Sequence, residues 1–227
     1  MIGSLFFEVE DVLAGTAALR RAALVRALAE EGFERAAISE IELHSAESTR
    51  DSVRRALRHQ RGAGDETALT LIALRADRHF AALVHAGVSL APGARELVRH
   101  AISSCRLAIV TGLERATVDS LLSLADLDGA FEVIIAAEDV AAGKPAPDGY
   151  RKALERMNRR RLLDLRSALA LEPGALGARA ARAAGLRCAI VAPFRAESVP
   201  DADAMLGSLE GENLATLDAM LPIETAG

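Results

Sequence analysis

The stretch Leu107-Ala108-Ile109-Val110-Thr111-Gly112 decides the fold. Four apolar residues in a row end in a hydroxyl and a glycine, and a helical run from Glu114 to Ala125 follows. Strands buried on both faces read as continuous apolar runs of this kind, whereas half-exposed strands alternate. Leu5-Phe6-Phe7-Glu8-Val9, Phe131 to Ile135, Ala168-Leu169-Ala170-Leu171 and Cys188-Ala189-Ile190-Val191 repeat the pattern. Helical stretches separate the later four, and connections of that length between parallel strands run as right-handed crossovers. The expected class is α/β: a Rossmann-like core built on a parallel sheet, with helices on both faces.

Between the first strand and the second lie roughly ninety residues, far more than one crossover helix needs. Leu69, Ile72, Ala73, Ala76, Phe80, Leu83 and Val84 fall at spacings of three and four and form one wide apolar stripe. Val53, Ala56 and Leu57 form a second, and Leu19 to Ala29 a third. Such stripes must bury against something. The chain is therefore expected to divide into an α/β core domain of residues 1–14 and 88–227 and an inserted α-helical cap domain of residues 15–87. Gly87 and Pro92-Gly93 mark the return to the core.

Composition narrows the function. A chain of 227 residues, 51% hydrophobic, has ample material for a core. Lys plus Arg number 27 against 32 Asp plus Glu, a formal charge of -5, where a nucleic-acid binder shows the opposite balance. Aromatics are 3% with no Trp, so stacking platforms for bases are scarce. No apolar run approaches the ~18 to 20 residues that span a bilayer, and Met1-Ile2-Gly3-Ser4 lacks the basic start of a signal peptide. A cytoplasmic protein with neither nucleic acid nor membrane as partner is expected. Cys105 and Cys188 stand far apart and read as core thiols. Of the 27 basic residues only Lys144 and Lys152 are lysines, so a lysine here is a rare choice.

In an open parallel sheet, ligands bind beyond the carboxyl ends of the strands. The first strand ends in Phe7-Glu8-Val9-Glu10-Asp11, which puts the carboxylates of residues 8 and 10 on one side if the extended conformation persists. The second ends in Thr111-Gly112 ahead of a helix, where a hydroxyl and helix N-terminal N–H groups suit an anion. After the third comes Ala142-Gly143-Lys144-Pro145-Ala146-Pro147-Asp148, a turn presenting one of the two lysines, and the fourth runs into Glu172-Pro173-Gly174 before another helix. Three carboxylates within four residues, Glu8, Glu10 and Asp11, repel one another unless a cation or protons intervene. Lys144 is the nearest evident counter-charge, either as a compact ammonium for a bound anion or as neutraliser of the cluster.

Together these features resemble the haloacid dehalogenase superfamily, in its β-phosphoglucomutase-like and phosphoglycolate-phosphatase-like branch. The resemblance spans Leu5 to Val191 and is most specific from Ile109-Val110-Thr111-Gly112 through Asp139-Val140-Ala141-Ala142-Gly143-Lys144-Pro145-Ala146-Pro147-Asp148. It implies Mg²⁺-dependent phosphoryl transfer through an aspartyl-phosphate. The first motif, Asp-x-Asp-Gly, supplies nucleophile and acid/base, a Thr or Ser and a Lys bind the phosphoryl oxygens, and a further Asp helps hold the metal. Thr111, Gly112 and Lys144 match the phosphate-binding positions. The nucleophile position is Glu8, the acid/base position Glu10, the glycine position Asp11, and the fourth-motif Glu-Asp pair reads Glu172-Pro173. If a metal binds at all, Glu8, Glu10 and Glu172 are its ligands.

These departures carry a physical penalty. Asp to Glu adds one methylene and moves the carboxylate by ~1.5 Å, while misplacing a reacting group by ~1 Å can cost ~10²-fold in rate. Pro173 has no side-chain oxygen, and Mg²⁺ demands near-octahedral oxygen ligation. The expected function is a phosphatase/phosphomutase-branch protein with impaired or absent catalysis that still binds inorganic phosphate or a small phosphorylated metabolite. The alternatives are an active Mg²⁺-dependent phosphomonoester hydrolase with Glu8 as nucleophile, and a non-catalytic interaction protein.

Other candidates read as structural. Arg50, Arg54, Arg58 and Arg61 share one face of a cap helix, with Arg55 and His59 beside it; the stripe either recruits an anionic substrate or is simply a solvated face. His44, His59, His79, His85 and His100 show no metal spacing. Arg159-Arg160-Arg161 complements a helix end, Gly15-Thr16 suits entry to the cap, and Arg115 reads as a helix-surface residue.

Overall fold

The computed structural model describes residues 1–33, 46–61, 66–192 and 199–220. His44 lies outside them, as do the side chains of His59 and Arg61. The described chain begins with β1 (Ser4–Phe7), followed by helices α1 (Ala17–Glu30), α2 (Thr49–Arg61) and α3 (Glu66–Ala86). Then come α4 (Ala94–Ala101), β2 (Arg106–Val110), α5 (Arg115–Leu124), β3 (Val133–Ile135), α6 (Asp148–Asn158), β4 (Ala168–Glu172), α7 (Ala175–Ala183), β5 (Arg187–Val191), β6 (Ala204–Leu206) and α8 (Leu214–Met220).

The six strands form one sheet in the order β3-β2-β1-β4-β5-β6, and every neighbouring pair is parallel. All four residues of β1 are buried, as befits a central strand covered on both faces. Leu5 and Phe7 face one layer, where they meet Leu97 and Val98 of α4 and Val118 and Leu121 of α5. Phe6 faces the other, with Tyr150 and Met157 of α6 and Ala178 and Ala181 of α7. This period-two division of a wholly buried strand produces the α/β sandwich expected from the sequence. Cys105 and Cys188 are free and buried. Among the described residues, no helix is long and apolar enough to cross a membrane.

The helices inserted after β1 have an apolar cluster of their own, built from Leu24 and Leu28 of α1, Val53 and Leu57 of α2, and Leu69, Ile72 and Ala76 of α3. They are not wholly separate from the sheet layer, because Ala23, Phe80 and Val84 pack into the cluster that covers β1 and β2. β6 was not expected; three residues with an exposed Met205 give too short an apolar run to read. The chain moves outward from β1 through β2 to β3, then returns to β4 on the other side. That reversal opens a crevice at the carboxyl ends of β1, β2 and β4.

Candidate functional site

Register places the site. Phe7 stands level with Ile109 and with Leu171, so Glu8, one residue on, emerges level with Val110 and Glu172 and next to Thr111, the residue after Val110. The extended conformation stops at Phe7. Val9 then accepts from the N–H groups of Leu13 and Ala14 at 3.0 Å each, and Asp11, at φ 61°, turns the chain back with its N–H on Ala14 O at 2.7 Å. Asp tolerates this left-handed conformation better than most side chains, which accounts for an Asp where the family motif has Gly. The turn aims the N–H groups of Val9 and Glu10 at the Glu8 carboxylate, at 2.7 and 3.2 Å.

Consequently the expectation that residues 8 and 10 present carboxylates on one side does not hold. Glu8, fully buried, is gripped from the core. Its Oε1 accepts from the Thr111 hydroxyl as well as from the two N–H groups, and its Oε2 accepts from Lys144 Nζ at 2.6 Å. Glu10 turns toward the inserted helices: its Oε2 accepts from Arg20 and from Ala46 N–H at 3.2 Å. Arg20, itself buried, also donates to Ser52 Oγ at 2.9 Å. Ser52 donates to Glu47, which accepts from Arg55.

Lys144 joins the two core carboxylates, donating to Glu8, to Glu172 Oε1 and, at 2.8 Å, to Val110 O. Burial works against its ammonium, but the charges of Glu172 and Glu8 outweigh that and hold its pKa above the ordinary lysine value. Lys144 thus pairs with both carboxylates, the neutralising contact expected of it, on the wall of the adjoining cavity. Glu172 ends β4 fully buried and accepts also from the Tyr150 hydroxyl. Its Oε2 has no hydrogen-bond partner among the described residues and lies against Gly177, where a β-carbon would overlap it. Burial pushes its pKa up to about 7 against the lowering effect of Lys144, and burial does the same for Glu10 against the lowering effect of Arg20.

Glu8 and Glu172 thus share Lys144, while Glu10 is drawn away to Arg20. Among the described residues, no three His, Cys, Asp or Glu side chains gather as a metal site, and Pro173 adds no side-chain oxygen. The donor set does not fit Mg²⁺ as arranged, since each carboxylate already faces a protein cation.

A cavity of about 310 Å³ adjoins this network, between α2 and the loops after β2 and β3. Thr111, Gly112 and Lys144 stand on its core side, Arg50 and Arg54 on the other. Gly112 lets the inserted segment approach closely: a β-carbon there would come within 2.9 Å of Ala46 O and Glu47 O. Two members of the arginine stripe, Arg50 and Arg54, therefore reach the site. Arg50 pairs with Glu66 at 2.5 Å and Arg54 with Asp51 at 2.5 Å, whereas Arg58 is exposed. Arg115 turns away, donating to Ile134 O at 2.6 Å and Asp139 at 3.0 Å. His79 pairs with Glu30 at 3.0 Å on the surface.

Arg20 and Tyr150 were missed by the sequence reading. Arg20 had a signal, since it falls in register with the buried Leu24, Ala27 and Leu28 of α1. Tyr150 is the only tyrosine of the chain. Asp77 was also missed. It lines the cavity beside Glu114, and burial pushes its pKa up to about 6, opposed by a hydrogen bond with Thr49 and reinforced by the Glu114 charge. A carboxyl whose folded pKa is raised favours the folded state fully below its unfolded value and loses that advantage as pH rises through the folded one. Asp77→Asn is therefore expected to leave stability at pH 4 nearly unchanged and to raise it at pH 8 by about 1–2 kcal/mol, after discounting for partial exposure. Urea unfolding at both pH values checks this; equal effects at the two would refute it.

Comparison with known proteins agrees with this architecture. A family model of haloacid dehalogenase-like hydrolases matches residues 5–185. Protein CbbY of Cereibacter sphaeroides is 34% identical over 233 residues, covering 98% of this chain and 100% of its own. The crystal structure of CbbY from Rhodobacter sphaeroides in complex with phosphate matches with a TM-score of 0.81 at 33% identity, over 96% of this chain and 100% of that one. A β-phosphoglucomutase from Clostridium difficile matches with a TM-score of 0.82 over 97% of each chain, and at 16% identity it speaks to the fold alone. A family match that takes in β1 through α7, and relatives one-third identical along nearly the whole length, leave a single assignment: the chain belongs to the haloacid dehalogenase-like hydrolase family.

Proposed function

We propose that this chain is a member of its family in which phosphoryl transfer has been lost, with the carboxylates of the former active site converted into an internal ion-pair network. One observation carries the reading. Each carboxylate that would attack phosphorus, move a proton or hold Mg²⁺ is bound to a protein cation: Glu8 and Glu172 to Lys144, Glu10 to Arg20. Attack by a carboxylate on a phosphate joins two anions, and a cation must offset their repulsion. With Lys144 already shared and no gathered metal set, that cation is missing. Residues 15–87 act as a cap over the cavity, a reading supported by their separate apolar cluster and by Arg50 and Arg54 at the cavity wall.

With Mg²⁺ and a generic phosphomonoester, turnover is expected to stay far below the ~1 s⁻¹ at the low end of ordinary enzymes, with no difference between the wild type and Glu8→Gln. A rate of that order, abolished by Glu8→Gln, would overturn the proposal and establish the second reading, a Mg²⁺-dependent phosphomonoester hydrolase with Glu8 as nucleophile. That reading is favoured by the retention of Thr111 and Lys144, and by a relative crystallised in complex with xylulose-(1,5)-bisphosphate at 31% identity and a TM-score of 0.80. In that reading Glu8 attacks through a carboxylate that Lys144 and Thr111 also hold. Of the ligands expected from the sequence, inorganic phosphate finds both of those donors engaged. A small phosphorylated metabolite has the cavity, with Arg54 and Arg50 on its wall to meet its charge in exchange for their present partners Asp51 and Glu66.

A further inference from the structure

We infer that the cradle formed by the N–H groups of Val9 and Glu10, the Thr111 hydroxyl and the Lys144 ammonium is an oxyanion site whose resident ligand is the chain's own Glu8 carboxylate, closed to outside anions until that side chain is shortened. This rests on the reading of the site as non-catalytic and explains how one added methylene produces it.

The donor arrangement is that of an anion site. Two successive backbone N–H groups, a hydroxyl and an ammonium converge on one carboxylate, and successive N–H groups held by a tight turn make an anion-binding concavity. Three of the four donors meet a single oxygen, Oε1, a crowding that a surface ion pair does not need. The donors are fixed independently of Glu8. Thr111 is anchored by its N–H to Ile135 O at 3.0 Å, Lys144 by its bond to Val110 O at 2.8 Å, and the Val9 turn by the N–H groups of Leu13 and Ala14. Cutting back Glu8 therefore leaves the cradle standing. It also leaves it reachable, since Thr111 and Lys144 line the 310 Å³ cavity while Glu8 itself is wholly buried. A side chain one carbon shorter would withdraw its carboxylate by about 1.5 Å and leave room in the cradle for a second oxyanion. The glutamate brings its own anion to that place.

The test is binding of inorganic phosphate, without Mg²⁺, by thermal shift and calorimetry, with chloride at matched ionic strength as control. The wild-type midpoint is expected to move no more with phosphate than with chloride. Glu8→Ala is expected to bind phosphate at least about tenfold more tightly, the equivalent of one charge-assisted hydrogen bond regained, with a midpoint that climbs with the logarithm of phosphate concentration. Adding Lys144→Met to Glu8→Ala should abolish the gain, and adding Glu172→Gln should strengthen it by leaving the ammonium unshared. Glu8→Ser carries the same test should the alanine variant not fold. Phosphate protection of the wild type that depends on Lys144, or a Glu8→Ala or Glu8→Ser protein indifferent to phosphate, would overturn the inference. The second of those outcomes leaves the absence of phosphoryl transfer intact, whereas hydrolysis by the wild type strikes at the proposed function instead.

Discussion

Lys144→Met is expected to lower the free energy of unfolding by about 3–5 kcal/mol, the typical cost of removing one partner from a buried ion pair. Methionine fills nearly the same volume, so the loss is one of charge and not of packing. Two fully buried carboxylates, Glu8 and Glu172, would face each other's charge without the ammonium that now joins them. The pH dependence has a definite sign. A lysine whose folded pKa is raised contributes its stability fully below the unfolded value, about 10.4, and loses it only as pH climbs through the higher folded one. The wild type should accordingly show no loss from this group between pH 7 and 9. The variant should be most impaired there and recover on acidification, as its carboxylates take up protons. Adding Glu8→Gln and Glu172→Gln should return more than half of the loss, because the cost lies in unpaired charge and not in the missing bonds. Urea unfolding of the single and triple variants measures both quantities. A single-variant loss below ~1 kcal/mol, or a triple variant no better than the single, would refute the account.

The sheet was legible because its strands are covered on both faces. A parallel strand buried in this way is largely apolar along its length, and Leu107 to Val110 and Ala168 to Leu171 are runs of that kind bounded by turn residues. The helices between β1 and β2 were legible from stripes at helical spacing. That Glu8, Thr111, Lys144 and Glu172 would meet was legible too, since strand ends in such a sheet converge on one crevice. What could not be read was direction. Residues 8 and 10 share a side only in an extended chain, and the turn closed by Asp11 sends one carboxylate to Lys144 and the other to Arg20. A long-range pairing such as Lys144 with both Glu8 and Glu172 leaves no trace in local pattern. Arg20 could have been caught, for an arginine on the apolar stripe of α1 has to have a buried partner. Likewise, which members of the arginine stripe reach the cavity depends on how α2 is rotated about its axis, and its periodicity does not fix that rotation.

Replacing that arginine is the second large effect. Arg20→Met should cost about 3 kcal/mol at pH 8, and less at pH 5.5, because Glu10 can relieve its isolation by accepting a proton. Burial already pushes the Glu10 pKa up to about 7, with Arg20 lowering it and Glu8 raising it. Without the guanidinium it climbs further, so the variant is penalised above that range and spared below it. Arg20→Lys should recover less than half. The guanidinium spans two acceptors, Glu10 and Ser52, which a point charge on a flexible stem cannot reproduce. The loss should also be uneven across the molecule. Arg20 and Glu10 tie α1 to the first strand's end, Ala46 N–H closes on the same carboxylate, and Ser52 carries the link to Glu47 and Arg55 on the far side. Amide exchange in Arg20→Met should therefore quicken at Ala46 and through the first turns of α2 while the amides of β1, β2 and β4 keep their protection. Equal acceleration in the sheet would mean that the pair stabilises the whole fold and does not pin the inserted helices in particular.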